Sequence, residues 1–323
     1  MRPRIAFVLG DPNGIGPEIA VKVLARAENA QRADVVVFTD PAILEAGERV
    51  AGVRVARNPA GGPAPAIASL SLLDGQALTA GEATSSGGRA GLSALTVAAE
   101  EARVGRIDGI VFAPLNKHAL RLAGLAQEDE LRYLQTFFGV EGFVSEFNIT
   151  GDLWTSRVTS HIPLKDVPAA LSVEGIVQAV RIVDRYLRAS GKAAPRIAVA
   201  ALNPHAGDGG SLGREEIELI APAVALARDG GIAAHGPLPA DTVFVAARRG
   251  DYDAVVSMYH DQGQIAMKLI GFDRGVTLHG GLPVPVATCA SGTAFDIVGR
   301  NVANPEGLQA AFDLAVRIAA AQQ

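Results

Sequence analysis

The chain has 323 residues, 49% of them hydrophobic, with 36 glycines and 18 prolines; that is too long for one small core and suits one large α/β domain or two. Its net charge of -5 gives no general electrostatic case for nucleic acid, and its single cysteine, Cys289, excludes an internal disulfide and a multi-cysteine zinc site. No apolar run nears the ~20 residues of a membrane span, and the first strand pattern is broken too soon, at Gly10-Asp11-Pro12, for a secretory signal, so a cytoplasmic chain is expected.

In chain order, Arg4–Leu9 (RIAFVL) reads as a buried strand. It meets a glycine-rich turn, Gly10–Glu18 (GDPNGIGPE), where Pro17 suits the first turn of a helix running to about Ala27. Ala33–Thr39 is the next strand, and a strand–helix–strand opening argues for parallel pairing. Ala56–Ala80, poor in charge and rich in Pro, Gly and Ala, reads as irregular with a short strand near Ser69–Leu73. A helix over Gly87–Arg103 and a strand over Gly109–Ala113 come next; the strand ends in Pro114-Leu115-Asn116-Lys117-His118. The acidic run Gln127–Glu130 suits the start of a helix over Leu131–Phe138.

Val144–Ile149 and Trp154–Ser160 alternate as a pair of strands. Asp166 and Ser172 are both candidate helix caps, and the longer helix covers Val173–Ser190. Arg196–Leu202 is a strand and Arg214–Asp229 a helix. Asp241 is the expected cap of another helix. Asp253–Met258 is a buried strand, with a turn expected at Gly263. Gly275–Thr288 is strand-like but broken by glycine and proline, and Asp313–Ala321 closes the chain as a helix.

Three of the six histidines share a setting: His161 in TSHIPL, His205 in LNPHAG and His260 in MYHDQG each follow an apolar run and precede Pro or Gly punctuation. In α/β proteins the carboxyl ends of strands are where ligands sit. Three neutral imidazoles would hold a divalent ion and leave it open positions, although the same pattern fits three unrelated loop histidines. His118, His235 and His279 lack this combination and read as structural or exposed. The turn Gly10–Glu18 is either an anion cradle of backbone N–H groups or a tight strand-to-helix turn; it lacks the dinucleotide-binding glycine spacing.

Together, six motifs in order resemble the PdxA family, whose name-giving member is 4-hydroxythreonine-4-phosphate dehydrogenase. They are GDPNGIGPE at Gly10–Glu18, SHIPL at Ser160–Leu164, ALNPHAGDGG at Ala201–Gly210, GPLPADT at Gly236–Thr242, MYHDQG at Met258–Gly263 and GFDRGV at Gly271–Val276. The resemblance implies an α/β fold of the isocitrate/isopropylmalate dehydrogenase type, with two lobes, 1–125 plus 270–323 and 126–269, and a cleft between them. It also implies a homodimer with active sites at the subunit interface. His161, His205 and His260 match the family's metal ligands, contributed by both subunits, and NAD would accept a hydride from a hydroxyl β to a carboxylate, with decarboxylation as the next step. The resemblance places Lys268 on the substrate. Lys117 is a weaker anion-binding candidate, and Asp241 a group to orient a ligand or substrate hydroxyl. Gly14, Gly16, Asn203, Gly292 and Thr293 are the expected cofactor contacts. Zinc suits three imidazoles, with cobalt, nickel, manganese or magnesium as alternatives.

The family pattern breaks at the substrate. Its Gly-His-Thr-Glu element reads Asp129-Glu130-Leu131-Arg132 here, an expected arginine is Val286 and an expected asparagine is Thr277. Fewer donors and an added carboxylate argue against a phosphate and for a non-phosphorylated hydroxy acid or cis-dihydrodiol carboxylate, with Arg132 a candidate partner for a second carboxylate. The alternatives are a phosphorylated hydroxy acid as substrate, or a binding protein that kept the fold without turnover. Near the C-terminus Ser291 stands for a histidine and Asn304 for an aspartate, in the stretch expected to contact NAD.

Overall fold

The computed structural model describes residues 1–57, 64–73, 75–271 and 274–323. Part of the stretch expected to be irregular, and Phe272-Asp273 of the GFDRGV motif, lie outside the described residues. The chain divides into two compact units. The first comprises Met1–Glu141, Val276–Leu278 and Leu282–Gln323, and the second Gly142–Gly275 and His279–Gly281.

In the first unit five strands, β1 (Arg4–Val8), β2 (Asp34–Thr39), β3 (Ala66–Ser69), β4 (Gly109–Phe112) and β11 (Val286–Cys289), run in the order β3-β2-β1-β4-β11. Every pairing among them is parallel. Strands buried on both faces read as unbroken apolar runs, which is why RIAFV and GIVF were legible: Ile5, Phe7, Val8, Ile110 and Val111 are fully buried. The closing helix is longer than expected, Glu306–Ala321, and packs Phe312 onto Phe7 with ring centroids 6.3 Å apart. The helix expected to run to about Ala27 stops at Leu24 and a short one, Ala27–Arg32, comes after it. A helix over Pro41–Ala51, capped by the Asp40 carboxylate on Ala42 N–H, is additional to the elements read from sequence.

In the second unit β5 (Ser145–Thr150) and β6 (Leu153–Arg157) form the expected antiparallel hairpin. With β7 (Arg196–Ala200), β8 (Ala233–Leu238) and β9 (Ala254–Ser257) the order is β5-β6-β9-β7-β8, and β6, β9, β7 and β8 are mutually parallel. The residues of β10 (Val276–Gly280) divide between the two units. Helix Val173–Ala189 is capped by Ser172, whose hydroxyl accepts from Gly175 N–H; Asp166 makes no capping bond.

Two expectations fail locally. Gly263 makes no turn: helix His260–Gly271 begins directly behind β9, and Gly263 is buried in its first turns. A Cβ there would lie 3.1 Å from Ser257 Oγ, so glycine serves close helix–strand packing. Asp241 is not a cap either. The helix spans Ala240–Arg248 behind Pro239, and Asp241 stands exposed in its first turn, where a carboxylate suits the helix dipole.

Candidate active site

The second unit assembles three parallel strand ends into one edge. His161 lies four residues beyond β6, His260 three beyond β9 and His205 five beyond β7, and these strands are neighbours in the order β6-β9-β7. The register aligns their ends, with Arg157 opposite Ser257 and Val199 opposite Val256. Hydrogen bonds then stitch the loops together. Thr159 donates its N–H and its hydroxyl to Met258 O, at 3.1 and 2.7 Å. Gln262 accepts from Met258 N–H and donates to Ala201 O, both at 2.7 Å, tying the β9 and β7 ends.

The rings of His161 and His260 stand 5.3 Å apart, centroid to centroid. Two imidazoles sharing one tetrahedral ion at ~2.0–2.1 Å would have centroids roughly 5 Å apart, so this pair fits a common divalent cation. His260 Nδ1 lies 2.7 Å from Asp261 Oδ1. With Nδ1–H donating there, Nε2 keeps its lone pair for a ligand, the usual carboxylate–histidine arrangement.

His205 is presented differently. His205, Ala206 and Asp208 have φ of 51°, 54° and 43°, in a left-handed turn with Gly207 and Gly209. Each non-glycine residue there costs about 1–2 kcal/mol, and such strain persists only where the surroundings fix it. Buried Glu216 fixes it. Its Oε1 accepts from Leu202 N–H and Asn203 N–H at 2.8 and 2.7 Å, and its Oε2 from the Asn203 amide at 2.9 Å. Burial alone would raise this carboxyl's pKa; the Asn203 and Leu202 donors outweigh it and hold the pKa below the ordinary value. Asn203, an expected cofactor contact, thus spends its side-chain N–H groups on Glu215 and Glu216.

Lys268 is exposed on helix His260–Gly271. Eight residues along a helix put it about 12 Å from His260 along the axis. Thr277 is half-buried in β10. The other histidines match their bland reading: His279 is buried, His235 packs on Tyr252 at 5.6 Å and His118 is exposed.

The first unit has its own edge, at the ends of β1, β4 and β11. Thr293 is its hub: its carbonyl accepts from Ile15 N–H and its hydroxyl from the Asn116 amide, at 3.0 and 3.2 Å. Gly14 and Gly16 are packed tight, since a Cβ would lie 2.9 Å from Thr293 Cβ and 2.4 Å from Leu9 O respectively. Gly292 is exposed, with nothing within 4 Å of where a Cβ would stand, so its backbone is open on that side. Lys117 is exposed at the start of helix Lys117–Leu122, capped by Asn116. Ser291 donates to Cys289 Sγ at 3.1 Å, and Asn304 accepts from Glu306 N–H.

Three residues outside the sequence-based set stand out. Glu216 is one, and Arg157, buried at the end of β6, is another. The third is Asp11, 1% exposed, whose Oδ1 accepts from Asn13 N–H while Oδ2 has no partner among the described residues. Burial pushes its carboxyl up to about 6, against the pull of that N–H. In sequence it is one more polar turn residue; only its depth distinguishes it.

At the expected substrate positions, Glu130 is the first residue of helix Glu130–Phe138, buried behind the Asp129 cap. Arg132 is exposed and donates to Gln135 at 2.7 Å. Leu131 is 3% exposed, and Val286 is fully buried in β11, opposite Ile110.

Two α/β units whose parallel strands carry ligand-type side chains at their carboxyl edges define a fold of the isocitrate/isopropylmalate dehydrogenase type. At the level of fold, the chain is similar to a β-decarboxylating dehydrogenase from Thermococcus kodakarensis (TM-score 0.51, 14% identity, 95% of this chain and 80% of that one). The chain belongs to the PdxA family: the family model "Pyridoxal phosphate biosynthetic protein PdxA" matches residues 31–315. It is 48% identical to a putative 4-hydroxythreonine-4-phosphate dehydrogenase 2 of Pseudomonas aeruginosa, over 98% of this chain and 97% of that one. Among solved structures it resembles 4-hydroxythreonine-4-phosphate dehydrogenase from Klebsiella pneumoniae (TM-score 0.83, 38% identity, 99% and 98% covered). It also resembles a terephthalate 1,2-cis-dihydrodiol dehydrogenase from Burkholderia xenovorans (TM-score 0.68, 30% identity, 95% of each chain). Among the described residues no helix is long and apolar enough to cross a membrane.

Proposed function

We propose that this chain is a cytoplasmic, metal- and NAD-dependent dehydrogenase that oxidises a hydroxyl β to a carboxylate, with decarboxylation, on a phosphorylated hydroxy acid of the 4-hydroxythreonine 4-phosphate kind. The observation that carries the metal chemistry is the row of three histidines on neighbouring parallel strand ends, with His161 and His260 at 5.3 Å. His161, His205 and His260 would hold the divalent ion, zinc before cobalt, nickel, manganese or magnesium. Bound there, such an ion supplies a positive charge that lowers the pKa of a substrate hydroxyl, and bound NAD supplies the hydride acceptor.

The chain's own residues do the rest. Asp261 fixes the tautomer of His260, and Glu216 holds the strained turn that presents His205. Thr293, Asn116 and the Gly14–Gly16 backbone shape the cofactor edge, which Gly292 leaves open. Lys268 supplies positive charge for an anionic substrate group and Lys117 a second, while Asp241 orients a hydroxyl. Lys268 shares its helix with Ile265 and Leu269, 62% and 84% exposed, which supports a homodimer in which a second copy covers this face.

The relatives' names support the phosphorylated substrate over the non-phosphorylated one to which the sequence alone gives first place. The non-phosphorylated reading, a hydroxy acid or cis-dihydrodiol carboxylate, keeps one specific support. Leu131 and Val286 are buried and offer no donor where the family's phosphate-binding groups are expected, and Glu130 adds a carboxylate. Incubation with NAD, Zn²⁺ or Mg²⁺ and a panel of phosphorylated and non-phosphorylated hydroxy acids, monitored by NADH absorbance, separates the two. Turnover of 4-phosphohydroxythreonine is expected, and its loss in His260→Ala. Turnover of non-phosphorylated acids alone would replace the first reading by the second. NAD reduction that survives both chelation and His260→Ala would remove the metal site.

A further inference from the structure

Arg157 ends β6 with its side chain 6% exposed, and its three donor nitrogens go to three residues on two segments, strand β5 and the turn that follows β6. Nη2 donates to Glu146 Oε2 on β5 at 2.6 Å, Nη1 to Asn148 Oδ1 at 2.9 Å, and Nε to Ser160 Oγ at 3.0 Å. Ser160 immediately precedes His161. Asn148 Oδ1 also accepts from Gln264 Nε2 at 2.5 Å, and Gln264 lies one turn beyond His260 in the same helix. One guanidinium is therefore bonded to the segment carrying one imidazole and, through a single shared acceptor, to the helix carrying the other.

Stability does not account for this arrangement. Replacing a buried ion pair by apolar residues of similar volume is often neutral or stabilising, and alternating strand positions under a helix are ordinary places for leucine or methionine. What an apolar core lacks is direction. A planar fork with fixed donor geometry sets the orientation of each acceptor, and a two-imidazole site needs its rings held at one separation.

We infer that Arg157 is a positioning residue that sets His161 and His260 relative to one another for metal binding. The inference rests on the reading of these histidines as ligands. The guanidinium itself touches neither ring and no substrate; it acts through Ser160 on one side and through Asn148 and Gln264 on the other. Glu146 neutralises it at 2.6 Å and has His279 Nε2 3.9 Å from its other oxygen, so the charge is held inside the second unit.

The test is Co²⁺ titration of the full-length chain, read by visible d–d absorption and by competition with a chelator. Two variants keep the fold accessible. Arg157→Lys keeps the charge opposite Glu146 but cannot bond Ser160 and Asn148 together. The double variant Glu146→Met/Arg157→Met removes the pair as a unit and leaves no unpaired buried charge. Both are expected to bind Co²⁺ about tenfold more weakly, within the range for lost outer-shell partners of a metal site. Their absorption bands should be altered, while the melting temperature of the metal-free protein stays near that of the parent. If both bind with the parent's affinity and spectrum while His161→Ala does not bind, Arg157 is structural only and the inference fails alone. If the parent shows no Co²⁺ bands, or His161→Ala and His260→Ala keep them, the metal reading fails and takes the inference with it.

Discussion

Each unit ends three neighbouring parallel strands at an edge, and the two edges are built on opposite plans. At the first, the ends of β1, β4 and β11 are drawn together by buried backbone: Gly14 and Gly16 let the chain approach Thr293 and Leu9 more closely than any side chain allows. At the second, the ends of β6, β9 and β7 carry exposed or half-buried imidazoles, and buried polar side chains behind them do the holding. An edge that offers backbone to a flat, extended molecule needs small residues and close packing. One that offers ring nitrogens to an ion needs side chains fixed by directional bonds. The contrast therefore locates the sensitive atoms: main chain in one unit, carboxylates and a guanidinium in the other.

Breaking the second edge should have the larger effect. Glu216→Ala strips the acceptors from Leu202 N–H, Asn203 N–H and the Asn203 amide, with a charged partner lost in each case. Two or three such bonds are together worth about 4 kcal/mol, and the left-handed turn at His205 loses its support. Urea unfolding should show that loss. Glu216→Gln, which keeps one acceptor oxygen, should recover about half. The glycine edge comes next. Gly16→Ala puts a Cβ 2.4 Å from Leu9 O, a backbone atom that moves only with β1. The overpacking should cost about 3 kcal/mol by the same measurement, with the variant's Co²⁺ affinity unchanged.

How much of this was legible depends on where the information sits. Parallel strands announce themselves as apolar runs, and His161, His205 and His260 were found because each comes after such a run. β8 was missed because it contains His235, Gly236 and Pro237; it lies last in the strand order, and a strand edge tolerates proline. Helix His260–Gly271 was missed because Gly263 reads as a turn, whereas its missing Cβ makes room for Ser257. Glu216, Arg157 and Asp11 were invisible for one reason. The first two depend on burial and on partners up to 14 and 11 residues away. Asp11 depends on the closure of a whole unit over one carboxylate, and no local spacing encodes either.

Asp11 sharpens the comparison through pH. Its folded pKa of about 6 lies above the ordinary carboxyl value of 3.8, so the folded state binds this proton more tightly than the unfolded chain. Below the unfolded pKa both states are protonated and the contribution to stability is fully present. As pH rises toward 6 the unfolded state gives up its proton first, and the contribution is lost, by about 3 kcal/mol at most. Asp108, Asp253 and Glu216, whose pKa values are lowered, act in the opposite sense and lose stability as pH falls. The informative quantity is therefore the difference between parent and Asp11→Asn in urea unfolding from pH 4 to 8. The variant should gain on the parent steadily up to about pH 6 and hold a constant lead above it. A difference independent of pH would mean that Asp11 is already ionised at pH 4 in the folded state.

The smallest expected effect separates close packing from openness within the first edge. Gly292 lies beside Thr293, in the same loop, yet a Cβ on it would meet nothing within 4 Å, and it has no positive φ to strain. Gly292→Ala should therefore change stability by less than about 0.5 kcal/mol, as for a surface substitution, while Gly14→Ala, which meets Thr293 Cβ at 2.9 Å, should not be so tolerated. If the open backbone at Gly292 is where the dinucleotide lies, the same methyl group should raise the Kd for NAD, read by titration of the protein's fluorescence. A variant that folds and binds NAD like the parent would leave the first edge with its packing explained and its ligand to be sought elsewhere in that unit.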